Sequence, residues 1–403
     1  MRHAWFTGIL IAAVTAGICT PCSAEKKKLP QYATKYYILH TDLDKDMTRE
    51  AVVRINAMAE EYYNRTKSFA GRINTRLPFY LYKNRQDYLD HPGVVEGSAG
   101  VYNGRSLVAV APRPGGGWRV VQHEGFHQFA HKMIRGRLPT WLNEGLADYF
   151  GAGVWTGDSL VVGVISPGSL TRVRNMIKGG KLMPLDKMLN MDQKTWNNEL
   201  KSSNYLQAWS MVHFLVHADK GKYQKALSGF IRDLSQSRSV SAAFRKRFGN
   251  NVKAFQACYA KWWSKLDDNP SADLYDRIKV LTLTSFLARA HGMGGKFENI
   301  DEFVKAAHDG RFAKALAKIG KHKPDIWLPV SLLKRNLPSS REIGRWSLLE
   351  SDRGPRLKYT RSDGTALIGG FKLGDRIRVK VKTVRPESEK PTVKPAIEQT
   401  LKK

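Results

Sequence analysis

The chain has 403 residues, 42% of them hydrophobic, which is enough material for more than one core. A net charge of +30 attracts polyanions such as envelope polymers, acidic surfaces or nucleic acid. Lysine and arginine are spread along the whole chain and no nucleic-acid-binding motif appears, so nucleic acid is not an expected partner. The three cysteines, Cys19, Cys22 and Cys258, exclude a disulfide framework.

The first element is a leader. Met1-Arg2-His3 is basic, an apolar run extends from Ala4 to about Ile18, and Cys22-Ser23-Ala24 offers a small-residue cleavage site. Residues 1–24 therefore read as a secretory signal peptide, and the protein as exported to a periplasmic, cell-envelope or extracellular location. Cleavage after Ala24 would leave Cys258 as the only cysteine. No later segment approaches the twenty or so apolar residues of a membrane-spanning helix.

A polar, lysine-rich lead-in follows. Strands are expected at residues 35–41, 78–82 and 106–111, and an amphipathic helix from Met47 to about Ser68. Pro112 to Gly117 breaks the chain, after which Trp118 to Ile134 reads as a core helix with Val120, Val121, Phe129, Met133 and Ile134 as its apolar positions. This helix carries His123-Glu124-Gly125-Phe126-His127. Residues four apart share a helix face, so both imidazoles can reach one ion, and Glu124 lies one step round from His123. Zinc accepts imidazole nitrogen, and at catalytic sites it leaves one position for a water that a carboxylate can deprotonate.

A catalytic zinc needs a third protein ligand. His131 is one candidate, but Ala130 and Met133 stand where the metzincin pattern requires a glycine and a ligand. The second is Glu144, in a helix that Thr140 could cap and Gly151 could stop. Asp148 lies one turn beyond Glu144, placed to accept the other N–H of a metal-bound histidine.

His123-Glu124-x-x-His127 followed by Asn143-Glu144-x-x-Ala147-Asp148 resembles the gluzincin zinc metallopeptidases, in particular the peptidase MA-like group, in which a Pro-x-Trp-Leu-x-Glu-Gly-Leu-Ala run follows the zinc helix. The specific match covers residues 123–150, with a looser likeness over about 34–265. The resemblance implies a zincin-like α+β domain with a helical lower half. It also implies zinc held by His123, His127 and Glu144, Glu124 as general base, and Asp148 with Asn143 supporting the ligands. Ala147 departs from the family serine. The resemblance further implies that the strand before the zinc helix borders the cleft, where an exposed edge could hold an extended peptide, with Tyr102 and Asn103 near its rim.

A short β-rich connection at 159–165 leads to helices from Tyr205 onward, near 205–217, 222–235, 239–248 and 252–266. Tyr205 begins a Tyr-x-x-Ala helix at the distance seen in peptidase MA-like chains, and is the candidate donor for the oxyanion. His213 and His217 are also four apart but have no glutamate between them, and read as structural.

A boundary is expected at Asp267–Asp273, then helices at 274–292 and 299–320, then four short strands from Arg345. In the last strand Arg376, Arg378, Lys380 and Lys382 share one face. The expected organisation is a peptidase domain over 25–268, a helical extension over 269–340, a small β module over 341–385 and a disordered basic tail over 386–403. The activity expected is peptide-bond hydrolysis on a peptide or protein substrate, with zinc as cofactor. The basic face would be either a solvated surface or an attachment to an anionic envelope polymer. The competing expectations are a non-catalytic envelope-binding protein on a zincin scaffold, and a structural zinc domain closed by His131.

Overall fold

The computed structural model describes residues 29–386 apart from 113–116, 199–201, 237–238, 310–329, 340, 353 and 375–376. The leader at 1–24, most of the expected tail, and Arg376 lie outside the described residues. The architecture is mixed α+β.

Five strands open the fold: β1 (Gln31–Ala33), β2 (Tyr37–Thr41), β3 (Leu77–Tyr82), β4 (Gly100–Tyr102) and β5 (Leu107–Val110). They form one sheet in the order β1-β2-β3-β5-β4, parallel at its centre and antiparallel at both edges. The burial of β2 and β3 alternates residue by residue, so one face packs inward while the other stays more open. The long helix α1 (Lys45–Thr66) covers the inner face. Asp44 caps it by accepting from the Met47 N–H, and Ala51, Ile55, Met58, Ala59 and Tyr62 form its buried stripe. The short α2 (Arg85–Leu89) follows β3.

Two adjacent helices carry the pentapeptide and Glu144, α3 (Arg119–Met133) and α4 (Thr140–Gly151). Phe126 of α3 stacks on Phe150 of α4 with centroids 4.8 Å apart, and Tyr62 of α1 meets both edge-on. Gly125, inside the pentapeptide, makes room for α1: a Cβ there would sit 2.7 Å from Met58 Cε. Three details differ from expectation. Val120 is 39% exposed, because it faces the strand β4 rather than α1 or α4. Thr140 is the first helical residue and Pro139 is the cap. Gly151 lies within α4 rather than after it, where its bare Cα faces the Arg119 carbonyl and the His123 side chain.

The chain continues through the hairpin β6 (Val154–Trp155) and β7 (Leu160–Val161) into a helical half. Its helices are α5 (Pro167–Lys178), α6 (Leu185–Asn190), α7 (Gln193–Asn198), α8 (Ser202–His217), α9 (Gln224–Leu234), α10 (Val240–Phe248) and α11 (Val252–Lys265). The second turns of α4 and α8 approach so closely that a Cβ on Gly145 would lie 2.5 Å from the Ala208 carbonyl oxygen.

Beyond residue 268 come α12 (Ala272–Gly292), α13 (Ile300–His308), α14 (Val330–Asn336) and the strands β8 (Trp346–Leu349), β9 (Arg356–Thr360), β10 (Ala366–Lys372) and β11 (Arg378–Val384). The strands form an antiparallel sheet in chain order. The residues of α12 from Val280 to Ala290 are all buried, as expected of a helix enclosed on every side. One side lies on β9, β10 and β11, and another reaches the β6–β7 turn through an ion pair between Arg289 and Asp158 at 2.8 Å. Val381 of β11 and Ile377 just before it are buried, while Arg378, Lys380 and Lys382 are exposed. Lys372 stands directly opposite Arg378 on the same outer face. Among the described residues no helix is long and apolar enough to cross a membrane.

Candidate metal centre

His123 and His127 project from one face of α3, and Glu144 of α4 comes back to meet them. Their donor atoms form a nearly equilateral triangle. The two Nε2 atoms are 3.1 Å apart, and Glu144 Oε2 lies 3.4 Å from His123 Nε2 and 3.5 Å from His127 Nε2. A tetrahedral ion with bonds of about 2.05 Å requires ligand atoms about 3.3 Å apart. The triangle has that size, and it is made of two imidazoles and a carboxylate, which is a donor set for a transition-metal ion. These residues fit a bound divalent ion.

Asp148, one turn past Glu144, accepts at Oδ1 from His123 Nδ1 at 3.2 Å, which leaves Nε2 of that ring for the triangle. The same Oδ1 takes Arg119 Nη2 at 2.8 Å. Sequence reasoning missed Arg119; its position one turn before His123 on the same helix face was the available signal. His127 is held differently. Its Nδ1 is buried without a hydrogen-bond partner among the described residues, and its ring stands edge-on to His123 with centroids 4.7 Å apart.

The electrostatics favour a cation at the triangle. Burial alone would lower the His123 pKa, but hydrogen bonds to Asp148 and Glu144, with the charge of Glu124, bring it up to about 10. Burial would raise Glu144, yet its contacts with His123 and His127 pull it down to about 2. Without a metal, the cluster instead holds a proton that an entering ion must displace.

Glu124 is set apart from the triangle. Its Oε2 accepts the Tyr102 backbone N–H at 2.9 Å, and its other oxygen has no hydrogen-bond partner among the described residues. Burial raises its pKa against the opposing charges of His127 and His123 and the Tyr102 N–H. The strand supplying that N–H is β4, which forms the sheet edge beside α3. This corrects the expectation that the strand at 106–111 borders the cleft: β5 is internal, paired on both sides. Gly100 of β4 allows the approach, since a Cβ there would meet Val120 at 2.5 Å and Glu124 Cγ at 3.3 Å.

One cleft opens on the triangle, and a second lies beyond Asp148. The first, of about 910 Å³, is lined by His127, Glu144, Asn143, His131 and Tyr102 among others. Asn143 therefore faces the cleft, with no side-chain hydrogen bond to either histidine. His131 is engaged by Tyr102, whose hydroxyl lies 2.7 Å from its Nδ1, and it is not part of the triangle. The other cleft, of about 490 Å³, is lined by Arg119, Asp148 and Tyr205 among others. Tyr205 stands edge-on to Trp196, and burial together with the nearby Glu144 charge raises its pKa. His213 and His217 are far from this chemistry in their contacts. His213 Nε2 meets the Gly163 carbonyl at 3.1 Å and His217 Nε2 meets the Tyr149 hydroxyl at 3.0 Å.

Residues 119–241 match a family model described as "Protein of unknown function (DUF1570)". The matched segment starts at the first residue of α3 and holds every residue of the triangle, Glu124, Asp148 and Tyr205. No curated protein matches the chain. The family's description assigns no chemistry, so the function must be read from the residues.

Proposed function

We propose that this chain is an exported zinc-dependent peptidase of gluzincin, peptidase MA-like type, hydrolysing peptide bonds with Glu124 as general base. The observation carrying the reading is the triangle of His123, His127 and Glu144, with ion-sized edges and an unused carboxylate oxygen of Glu124 beside it. The residues that would hold zinc are those three. When bound, zinc supplies a Lewis acid that polarises a carbonyl and lowers the pKa of water.

The rest falls to the chain's own groups. Tyr102 fixes one oxygen of Glu124 through its backbone N–H, which presents the other to the attacking water. Burial makes Glu124 a stronger base than a surface carboxylate, so it takes the water proton as the new C–O bond forms. It returns that proton to the amine nitrogen as the C–N bond breaks. Asp148 holds the His123 ring in one tautomer. Tyr205, kept protonated by burial and by the Glu144 charge, is the candidate hydrogen-bond donor to the developing oxyanion.

The test pairs metal analysis with cleavage of a mixed peptide library, for the native chain and for Glu124→Gln. The variant should retain its metal and lose cleavage by roughly a hundredfold or more. A metal-loaded native protein that cuts no peptide in the library would overturn the proposal.

A further inference from the structure

The smaller cleft has a charge for which hydrolysis itself gives no use. Its only carboxylate among the described residues is Asp148, already committed to Arg119 and His123. Its second cation, Arg172 of α5, is exposed and has no carboxylate partner among the described residues. Its guanidinium makes only a 3.5 Å contact with the Ser169 hydroxyl. The cleft is thus lined by two arginines, one with its charge unmatched.

The helices around it add to the same sign. α3 starts at Arg119, α5 starts at Pro167 behind its cap Ser166, and α8 starts at Ser202, and all three beginnings border this cleft. Helix N-termini carry a positive partial charge and free N–H groups. An anion entering here meets two guanidiniums and three helix beginnings, whereas an ammonium group meets no free carboxylate. Apolar walls stand beside the cations: Trp209 and Leu206 of α8, and Tyr275 of α12, 36% exposed. Two of its lining side chains link it to the triangle: Asp148 accepts from His123 Nδ1 at 3.2 Å, and Tyr205 is close enough to feel the Glu144 charge.

We propose that this cleft binds a carboxylate of the peptide that enters the metal centre, with Arg172 as its principal partner and Arg119 beside it. The substrate class is then an anionic peptide, bearing either a free C-terminus or an acidic side chain near the bond that is cut. The word substrate rests on the peptidase reading; the binding does not.

Binding can therefore be measured without turnover, in the full chain carrying Glu124→Gln. Three N-acetylated probes are titrated calorimetrically: tri-alanine as the free acid, its C-terminal amide, and Ala-Glu-Ala amide. At least one anionic probe should bind roughly tenfold or more tighter than the neutral amide, the size of one charge-assisted hydrogen bond. The tighter of the two anionic probes identifies the source of the carboxylate. Adding Arg172→Gln should abolish the preference, and Arg172→Lys should restore part of it. Equal binding of all three probes, or a preference unchanged by Arg172→Gln, would overturn the proposal. Library cleavage is scored separately, so loss of this preference and loss of peptidase activity are distinct results.

Discussion

Gln122, next to the first candidate ligand, gives the sharpest test of how the two helices are held together. Its side-chain Nε2 lies 3.1, 3.0 and 3.0 Å from the carbonyl oxygens of Phe150, Gly151 and Gly153. These oxygens belong to the end of α4 and the residues after it, where a helix runs out of N–H groups to satisfy its carbonyls. One amide from α3 therefore serves as the cap of α4. Gln122→Met keeps the length of the side chain and removes both protons. The Phe150 carbonyl keeps the Gly153 N–H, but the loss of two bonds' worth of net stabilisation at Gly151 and Gly153 amounts to roughly 2–4 kcal/mol. Urea denaturation of the metal-free protein reads this as a lowered midpoint at unchanged slope. A chelator-competition titration should also show weaker zinc binding, because Glu144 rides on α4 and both histidines ride on α3. An unfolding free energy within about 0.5 kcal/mol of native would refute the argument, since that is the scatter of an uninvolved surface site.

Three further outcomes follow from the geometry. Asp148→Ala removes the acceptor that orients His123 and leaves Arg119 without its partner; zinc affinity in the same titration should fall by about 10–100-fold, and unchanged affinity would count against the orienting role. Gly145→Ala places a methyl 2.5 Å from the Ala208 carbonyl, so the unfolding free energy read from the same denaturation should drop by roughly 1–3 kcal/mol. His217 is held near a pKa of about 4 by burial and the Arg65 charge, below its ordinary 6.5. Between pH 6.5 and 4 the unfolded chain binds a proton that the folded chain refuses, so stability falls on acidification by about 1.4 kcal/mol per pH unit. His217→Phe should flatten the melting-temperature profile in that window, and parallel profiles would contradict the assignment.

How much of this was legible in the sequence depended on the range of the contact. His123, His127 and Glu144 were readable because helical spacing puts ligands on one face within a few residues, and a short turn returns the second helix. His213 and His217 show the same spacing without a carboxylate between them, and they are buried against Gly163 and Tyr149. Gln122 reads as a polar residue of no distinction until α4 ends above it. Gly125 and Gly145 are weak helix formers whose presence is explained only by α1 and α8 crossing there. Strand order was the least legible feature. The three residues of β4 carry too little pattern to register as a strand, yet they pair outside β5 and supply the N–H that holds Glu124. A β-edge is a property of the assembled sheet, not of the segment.

The C-terminal third is joined to the candidate metal centre by the same long-range logic. α12 is buried along most of its length because it fills the space between the second sheet and the N-terminal half. Arg289 and Asp158 close that contact as an ion pair 94% and 87% shielded at their side chains, and Ser285 also donates to Asp158. Breaking one partner of such a pair costs about 3–5 kcal/mol, because the other charge stays buried alone. The pair therefore fixes α12 against the β6–β7 turn, one hairpin beyond α4. About four turns earlier on the same helix, Tyr275 reaches the wall of the smaller cleft. Removing residues 269–403 would strip that wall and uncover the core beneath it. The second sheet thus acts on the cleft through the helix it carries, while its row of Arg378, Lys380 and Lys382 is exposed.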